Sequence, residues 1–503
     1  MRNNNLKIIN RVKNLRRNKK KVVLCHGVFD LVHLGHIKHF KKAKAFGDYL
    51  IVSITKDGFI NKGPGRPIFN HFQRIEYLKE LKIIDDVFLS EGSSATEVIQ
   101  KIKPDIYVKG AEYSIDSLDK SKKIVEEKNC LKKYGGKIKF TDEKTFSSSN
   151  IINQIGISLN EEQRIFINKI KKTTNYIDFN KIFSNFKKLK VLVLGEIIID
   201  QYCFGNGIGK SGKEPYLVFN EKFTENYLGG SAFVARNISS FVKKVNLFSP
   251  FGFEKENKII LKKDSKKNIN YNLIKPYKNY PTIIKKRFVD KISNYKLFGS
   301  YILPEVSAIK NNDLIIRKIK QLEKENDMII CCDYGHNFIS DEIVDFLKKT
   351  KKRLFVNAQV NSSNFLYRSL DRYTNVDSII INETELRQDL KDNSSDIYYL
   401  AKKLLKKNRL KNLIVTMGIN GVILVNNKGE KFNCPAFAMK STDKVGAGDA
   451  MLSIVSLGFK LNLKPELTLL LGSIAASMSV ENIGNKESID FYKFDRTIEY
   501  LLK

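Results

Sequence analysis

The sequence predicts two α/β domains, each built on a mostly parallel sheet. At 503 residues the chain is too long for one ordinary hydrophobic core. Apolar runs of strand length alternate with amphipathic stretches of helix length, twice over, and that alternation is the pattern of parallel strands joined by crossover helices. Between the two series lies "LNEEQRIFINKIKKTTNYIDFNKIF", which is polar, helical and free of strand signal. The expected division is therefore a domain over 1–156, a linker over 157–177 and a second domain over 178–503.

The elements follow in order. Leu6, Ile9, Val12 and Leu15 mark one face of a short N-terminal helix. "KVVLCHGVFD" is an apolar strand ending in a Gly-containing turn, and "HIKHFKKAKAFGDYLIVSIT" reads as helix then strand. "FNHFQRIEYLKEL" is helical, "DDVFLS" a strand, "ATEVIQKIKP" a helix and "DIYVKGAEY" a strand with a turn. "FTDEKTFSSSNII" passes from a strand through a Ser-rich turn into a helix, whose N-terminus Ser147, Ser148 and Ser149 suit as caps. The second series opens with the strand "KVLVLGEIIID" and with "YCFGNGIGKSGKEPYLVF", two short strands around a Gly-rich turn. Strands "DMIICCDYG", "RLFVNAQV", "SIIINETE", "LIVTMG" and "GVILVNN" come next, and a last long helix opens at "VGAGDAMLSIVSLGF".

Composition narrows the function classes. With 42% hydrophobic and 28% charged residues the chain is neither disordered nor fibrous. The net charge of +34 raises a nucleic-acid or anionic-membrane reading. Lysines are spread from "RRNKKK" through "KKDSKK" and "KKTKKR" to "KKLLKK", however, so the charge reads as a solvated, generally basic surface. The six cysteines form no CxxC, and Cys331 and Cys332 are adjacent, which suits a reducing compartment. No apolar run is long enough to span a bilayer, and the N-terminus lacks the apolar core of a signal peptide. The expectation is a cytoplasmic protein whose partners are small molecules, with no nucleic acid and no membrane insertion. The sequence is compatible with a homo-oligomer.

Two stretches carry chemistry. In "HGVFDLVHLGH" Gly27 allows close backbone approach, and His33 and His36 flank Gly35 at the opening of a helix, where backbone N–H groups and imidazoles suit a phosphate. The spacing of His33, His36 and His39 also admits a metal site, although no Cys pair or carboxylate cluster completes it, and a structural role stays open on the residues alone. In "DKVGAGDA" Gly446, Ala447 and Gly448 present successive N–H groups at a helix start with Asp449 beside them, either an anion-holding nest with a proton acceptor or a Gly-rich cap. "GNGIGKSG" imitates a Walker A loop, but the spacing requires Gly where Phe204 stands, and "EPYLVF" follows instead of a helix.

Motif order adds a resemblance for each half. "GVFDLVHLGH", "AFGDYLIVSIT", "GRPIFNHFQR", "PDIYVKGAEY" and "SSSNII" together resemble the cytidylyltransferase-type HxGH nucleotidyltransferases, in particular the nucleotidyltransferase half of the bifunctional ADP-heptose synthesis enzymes. The resemblance implies a Rossmann-like fold. It makes His33 and His36 the catalytic histidines that hold the triphosphate and stabilise the transition state. Nucleotide or phosphate contacts are implied for Gly27, Phe29, Asp30, Gly35, Lys44, Arg66, Arg74 and Ser147 to Ser149, and base, ribose or sugar-phosphate contacts for Lys109 and Gly110. His26 and His39 fall outside the motif. No metal is expected on the histidines; the implied cation is Mg²⁺ on the nucleoside triphosphate.

"VLVLGEIIID", "LGGSAFVARN", "CCDYG", "INETEL", "VTMGINGV" and "DKVGAGDA" are similar to the ribokinase-like (PfkB) sugar kinases, and within them to the heptose-phosphate kinase half of the same bifunctional enzymes, in reversed domain order. A ribokinase-like α/β domain with a small β lid is implied, with ATP as substrate. Asp449 is then the catalytic base and Gly446, Ala447 and Gly448 the anion hole. Asp200, Gly229, Gly230 and Asn237 take the sugar side, Asn382 and Glu385 the metal and phosphates, and Thr416 and Gly418 the nucleotide. Two departures stand out: Phe233 replaces an Asn expected on the sugar, and Asn357, Ala358 and Gln359 replace Asp-Pro-Lys. Losing one buried sugar hydrogen bond costs about 1–3 kcal/mol. The expected function is bifunctional nucleotide-sugar synthesis for surface polysaccharide such as lipopolysaccharide, with heptose the nearest analogy. The alternative is an active nucleotidyltransferase fused to a catalytically altered, sugar-binding or regulatory module.

Overall fold

The computed structural model describes residues 2–60, 67–92, 94–110, 123–141, 159–263, 266–305, 312–359, 369–438 and 442–502. The chain forms two units, Met1–Leu159 and Asn160–Lys503.

The first unit is a five-stranded parallel sheet in the order β3-β2-β1-β4-β5. Its strands are β1 (Val22–Gly27), β2 (Tyr49–Thr55), β3 (Asp86–Ser90), β4 (Ile106–Gly110) and β5 (Lys137–Thr141). The central β1 is fully buried from Val22 to Cys25, as a strand covered on both faces must be. Ile8, Val12, Phe88 and Ile99 fill one face of the sheet, and Phe29, Phe40, Val52 and Leu78 fill the other. The helix Arg2–Arg17 buries Ile8 and Val12 with Ile9 and Leu15 on the flank, while Leu6 is 57% exposed. The spacing explains the difference from the expected face: Ile8, Val12 and Leu15 stand at i, i+4 and i+7, and Leu6 lies off that stripe.

The second unit holds a nine-stranded sheet in the order β10-β9-β6-β13-β14-β15-β16-β17-β18. These are β6 (Lys190–Gly195), β9 (Lys244–Pro250), β10 (Ile269–Ile274), β13 (Met328–Asp333), β14 (Arg353–Ala358), β15 (Ser378–Asn382), β16 (Asn412–Thr416), β17 (Val422–Asn426) and β18 (Lys431–Cys434). All pairings are parallel except those made by β17 and β18. A separate four-stranded sheet, β12-β11-β7-β8, comprises β7 (Ile197–Lys210), β8 (Leu217–Gly230), β11 (Ile283–Asp290) and β12 (Lys296–Ile302).

The expected single strand "KVLVLGEIIID" thus divides between two sheets. Gly195 makes the break: its φ is +148°, and a Cβ there would lie 2.2 Å from the Cys332 carbonyl oxygen. The two strands expected to be short are 14 residues each, a long hairpin with irregularities at Phe204/Gly205 and Gly207/Gly209. The Walker-like "GNGIGKSG" lies at its outer end, within β7 and the turn, so no helix receives a phosphate there.

The stretch expected as a linker carries two helices, Glu161–Lys171 and Tyr176–Phe186. Their apolar faces, Phe166, Ile167 and Ile170 in the first and Phe179, Phe183 and Phe186 in the second, are buried within the second unit. All six cysteines are buried and unpaired. Among the described residues no helix is long and apolar enough to cross a membrane.

Candidate active sites

In the first unit the carboxyl end of β1 runs into a turn and then the helix Leu34–Lys44. His33 is the N-cap of that helix: its Nδ1 accepts the Gly35 N–H at 3.1 Å, and the His36 Nδ1 accepts the His33 N–H at 3.4 Å. A ring nitrogen that accepts carries no proton, so each neutral imidazole holds its proton on Nε2. Both rings are thereby donors on their outer edge, as an anion requires. Burial lowers the His33 pKa, and the ring centroids stand 4.0 Å apart, which disfavours two imidazolium ions side by side. The His33 Nε2 is buried with no protein partner among the described residues. Among the described residues no group of three or more His, Cys, Asp or Glu side chains could hold a metal.

The turn before the helix is held by its own residues. A Cβ on Gly27 would meet the Phe29 ring at 2.9 Å, and Phe29 takes a left-handed φ of 48°. The Tyr77 hydroxyl donates to the Phe29 carbonyl. Asp30, buried, accepts the Ile68 and Phe69 N–H groups, each at 3.0 Å. Phe29 and Asp30 therefore shape the turn beneath Gly35. Arg74 is placed differently from its expected phosphate role. It is wholly buried, and its guanidinium donates to the carbonyls of Phe69, Val28 and Thr55 and to Asp57 Oδ1.

Lys44 is also not brought to the histidines. It ends the helix that His33 caps, about 16 Å away at 1.5 Å per residue, where its ammonium meets Asp85 and the Asp48 carbonyl. Lys109 lies on β4, 3.3 Å from the buried Glu127 carboxylate, and Gly110 ends the same strand. His26 contacts Ser53 at 2.7 Å and His39 contacts Thr141 at 2.8 Å. Arg66 and Ser147 to Ser149 lie outside the described residues.

In the second unit a cavity of about 780 Å³ takes in Asp200, Gly230, Lys285, Arg287, Tyr334, Asn382, Glu385, Thr416, Gly418 and Gly446 to Asp449. The helix Ala447–Lys460 begins there. Gly446, its N-cap, has φ +87°, and a Cβ on it would lie 2.2 Å from Asn485 Oδ1 and 2.8 Å from the Phe233 ring. On Gly448 the space is open, so a phosphoryl group can approach the backbone closely. Asp449 stands in the first turn; burial, opposed by a hydrogen bond from Tyr334 and by Lys285, pushes its pKa up to about 7. A carboxylate tuned there suits proton abstraction near neutral pH. Glu385, the N3 residue of a capping box with Asn382, is likewise raised by burial to about 7.

The acceptor end is built on the small sheet. Asp200 on β7 forms an ion pair with Arg287 at 2.5 Å and accepts from Asn485 Nδ2 at 2.6 Å. A Cβ on Gly229 would strike the Asp200 carboxylate at 2.0 Å, so only Gly fits. Gly230 caps the helix Ser231–Ser239. The Lys285 ammonium beside them makes no hydrogen bond or ion pair among the described residues, and desolvation lowers its pKa. Asn237 is fully buried, accepts the Ile489 N–H at 3.0 Å and does not line the cavity, so its role is to hold the C-terminal segment. Phe233, 1% exposed, lies under Gly446 and likewise does not line the cavity. Asn357 and Gln359 do line it, and Asn357 Nδ2 donates to the Ile380 carbonyl.

Several residues escaped the sequence reading. Glu196, buried at the break between β6 and β7, accepts the N–H groups of Tyr334, His336 and Phe338, and burial beside Asp333 raises its pKa to about 7. That carboxyl fixes the turn from which Tyr334 reaches Asp449 at 2.8 Å. Asp443, just before the anion hole, pairs with Lys296 at 2.5 Å and accepts from the Tyr202 hydroxyl at 2.8 Å. Lys285 and Arg287 were visible only as part of a basic run, and Tyr334 only inside "CCDYG".

Different family models match the two parts of the chain. Residues 24–154 match the cytidylyltransferase-like family model. That N-terminal region is 38% identical over 144 residues to the bifunctional protein HldE of Campylobacter jejuni strain RM1221, covering 28% of this chain and 29% of the relative. Against HldE of Syntrophotalea carbinolica it is 36% identical over 143 residues, covering 28% of each. These matches thus span under a third of the relatives' length. The phosphofructokinase-2 of Escherichia coli, solved in complex with potassium, shares the fold of the second unit with a TM-score of 0.50 at 15% identity, covering 63% of this chain and all of that one. Residues 188–491, more than half of the chain, match the pfkB carbohydrate kinase model, and the protein belongs to the pfkB family of carbohydrate kinases.

Proposed function

We propose that the chain makes a nucleotide-activated sugar in two steps, phosphorylating a heptose-like sugar phosphate from ATP in its second unit and transferring a nucleotidyl group to a sugar 1-phosphate in its first. The observation that carries the kinase step is Asp449, held near pKa 7 within the turn whose N–H groups face the same cavity. An acceptor hydroxyl oxygen attacks the γ-phosphorus, its proton passes to Asp449, and the bond to the bridging β–γ oxygen breaks to leave ADP. Gly446 to Gly448 offer their amides to the transferring phosphoryl group. Lys285, a half-buried cation whose ammonium makes no ion pair among the described residues, supports an anionic acceptor over a neutral sugar.

In the first unit a sugar 1-phosphate oxygen attacks the α-phosphorus and pyrophosphate leaves. The Nε2–H groups of His33 and His36 face the charge that develops on the phosphates. Mg²⁺, when bound with the nucleotide, would offset phosphate charge; Glu385 and Asn382 supply oxygens suited to it in the second unit, directly or through water. Such a pathway enzyme would work in the cytoplasm.

The altered-module reading rests on Phe233 and on Asn357 to Gln359. Phe233 packs under Gly446 and displaces none of the groups around Asp449, which favours a working kinase. The test is mass-spectrometric identification of products from mixed nucleoside triphosphates and a panel of sugars and sugar phosphates. ADP formation should require a phosphorylated sugar and vanish in Asp449→Asn, and pyrophosphate release should vanish in His36→Ala. No ADP formation with any acceptor would leave the altered-module reading.

A further inference from the structure

The nucleotide end of the second-unit cavity has a wall that does not come from the pfkB family core. The family match begins at residue 188, yet Asn160 and Gln163, at the start of the helix Glu161–Lys171, line the cavity with Asp449 and Gly418. The geometry points to this turn as part of the nucleotide site, with Asn160 meeting the base and Gln163 acting as the positioning residue that holds Asn160 there. The identity of the ligand rests on the kinase reading above.

The direction of the nucleotide follows from the sheet. Acceptor-side Asp200 lies on β7, which continues directly from β6. Gln163 Nε2 donates to the carbonyl of Ala436 at 2.5 Å, just beyond β18. In the sheet order β6 and β18 are six places apart, which is about 29 Å at 4.8 Å per strand. With the transferring phosphoryl group at Gly446 to Asp449, the triphosphate runs away from Asp200 toward Ala436 to Ala438, and the base reaches the turn at Asn160.

The hydrogen bonds divide the roles of the two amides. Gln163 is 5% exposed and uses both ends of its side chain: Oε1 accepts the Asn160 N–H at 2.9 Å while Nε2 holds Ala436. Both ends are thus tied to the protein, which fits a positioning role. Asn160 accepts the Gln163 N–H on Oδ1 at 2.8 Å, which leaves the Nδ2 donor of this exposed residue without a protein partner among the described residues. An amide donor at this place suits an acceptor on the nucleobase, a ring nitrogen or exocyclic oxygen. The helix is anchored for the purpose: Phe166 packs near Phe437 with ring centroids 6.5 Å apart.

Calorimetric binding of MgADP to the full chain tests this, because ADP is a product of phosphoryl transfer and not of nucleotidyl transfer. Asn160→Ala and Gln163→Ala should each weaken MgADP by about 5- to 10-fold, the equivalent of one hydrogen bond. Gln163→Glu, which turns the donor facing the Ala436 carbonyl into an acceptor, should do the same. The KM for ATP in ADP formation should rise in parallel, with the acceptor KM within twofold of wild type and with Lys169→Ala unchanged on all counts. Unchanged MgADP affinity in Asn160→Ala and Gln163→Ala, or an equal rise in the acceptor KM, overturns the inference. Binding by wild type that is weakened in the variants, without turnover of any acceptor, overturns the kinase reading and keeps this one. No binding by wild type overturns both.

Discussion

The Tyr334 hydroxyl donates to Asp449 Oδ1 at 2.8 Å, and the turn that carries Tyr334 is suspended by three backbone N–H groups from the buried carboxyl of Glu196. A hydrogen bond to the charged form favours ionisation, so Tyr334 keeps the Asp449 pKa from rising further under burial. Tyr334→Phe should therefore move the acid limb of the ADP-formation profile to higher pH by about one unit and lower the rate at pH 7 by about 5-fold, with recovery in alkaline buffer. A pH–rate profile with an unmoved acid limb would separate Tyr334 from the base.

Asp449 also sets a stability cost. Its pKa is raised from an ordinary 3.8 to about 7 in the folded chain, so the native state holds a proton that the unfolded state has released between those values. The stabilising contribution is fully present below pH 3.8 and is lost as pH rises through about 7. Asp449→Asn removes the ionisation altogether. Thermal unfolding should show the variant more stable than wild type at pH 8 and close to it at pH 4, while ADP formation is lost at both.

The two sites were unequally legible in the sequence, and the reason is how far apart their parts lie along the chain. "VGAGDA" holds the left-handed Gly446, the open Gly448 and the Asp449 carboxylate within one helical turn, so backbone and side-chain chemistry could be read together. Lys285 reaches the same cavity from a strand more than a hundred residues earlier, inside "IIKKRF", where it looks like one more member of a basic surface. Lys44 and Arg74 show the converse: motif order drew both toward phosphate, while a helix length carries one away and a shell of carbonyls encloses the other. Glu196 was hidden because one apolar run, "VLVLGEIIID", had to be divided between two sheets at Gly195.

His33 combines two roles that a single substitution can separate. Its Nδ1 caps the helix Leu34–Lys44 through the Gly35 N–H, and its Nε2 is the buried edge without a protein partner among the described residues. Asparagine is among the best N-caps, so His33→Asn should keep the cap and leave the unfolding midpoint within a few degrees of wild type. Its shorter amide places no donor where Nε2 stands, and pyrophosphate release should fall by about 10²- to 10³-fold, as for loss of one donor to developing charge. Full activity in a stable His33→Asn protein would make the histidine a cap alone.

Arg74 tests whether a basic residue in a nucleotidyltransferase motif binds nucleotide or builds the turn that does. Its guanidinium joins Val28, Thr55 and Phe69 carbonyls and Asp57 in a wholly buried place, so it draws together the ends of β1 and β2 and the start of the helix His71–Lys79. Replacing it with Ala strands three carbonyls and one carboxylate, and removal of one partner from such a buried charged set costs about 3–5 kcal/mol. Lys cannot reproduce the planar fork and should recover little of this. The measurement is urea unfolding of the full chain followed through both units. Arg74→Ala and Arg74→Lys should lower the midpoint of the first unit, whereas Lys44→Ala, which removes a partly exposed pair with Asp85 and a bond to the Asp48 carbonyl, should leave the stability of that unit within about 1 kcal/mol and the nucleoside triphosphate KM unchanged. A normally stable Arg74→Lys chain with only a raised triphosphate KM would return Arg74 to the phosphate side of the site.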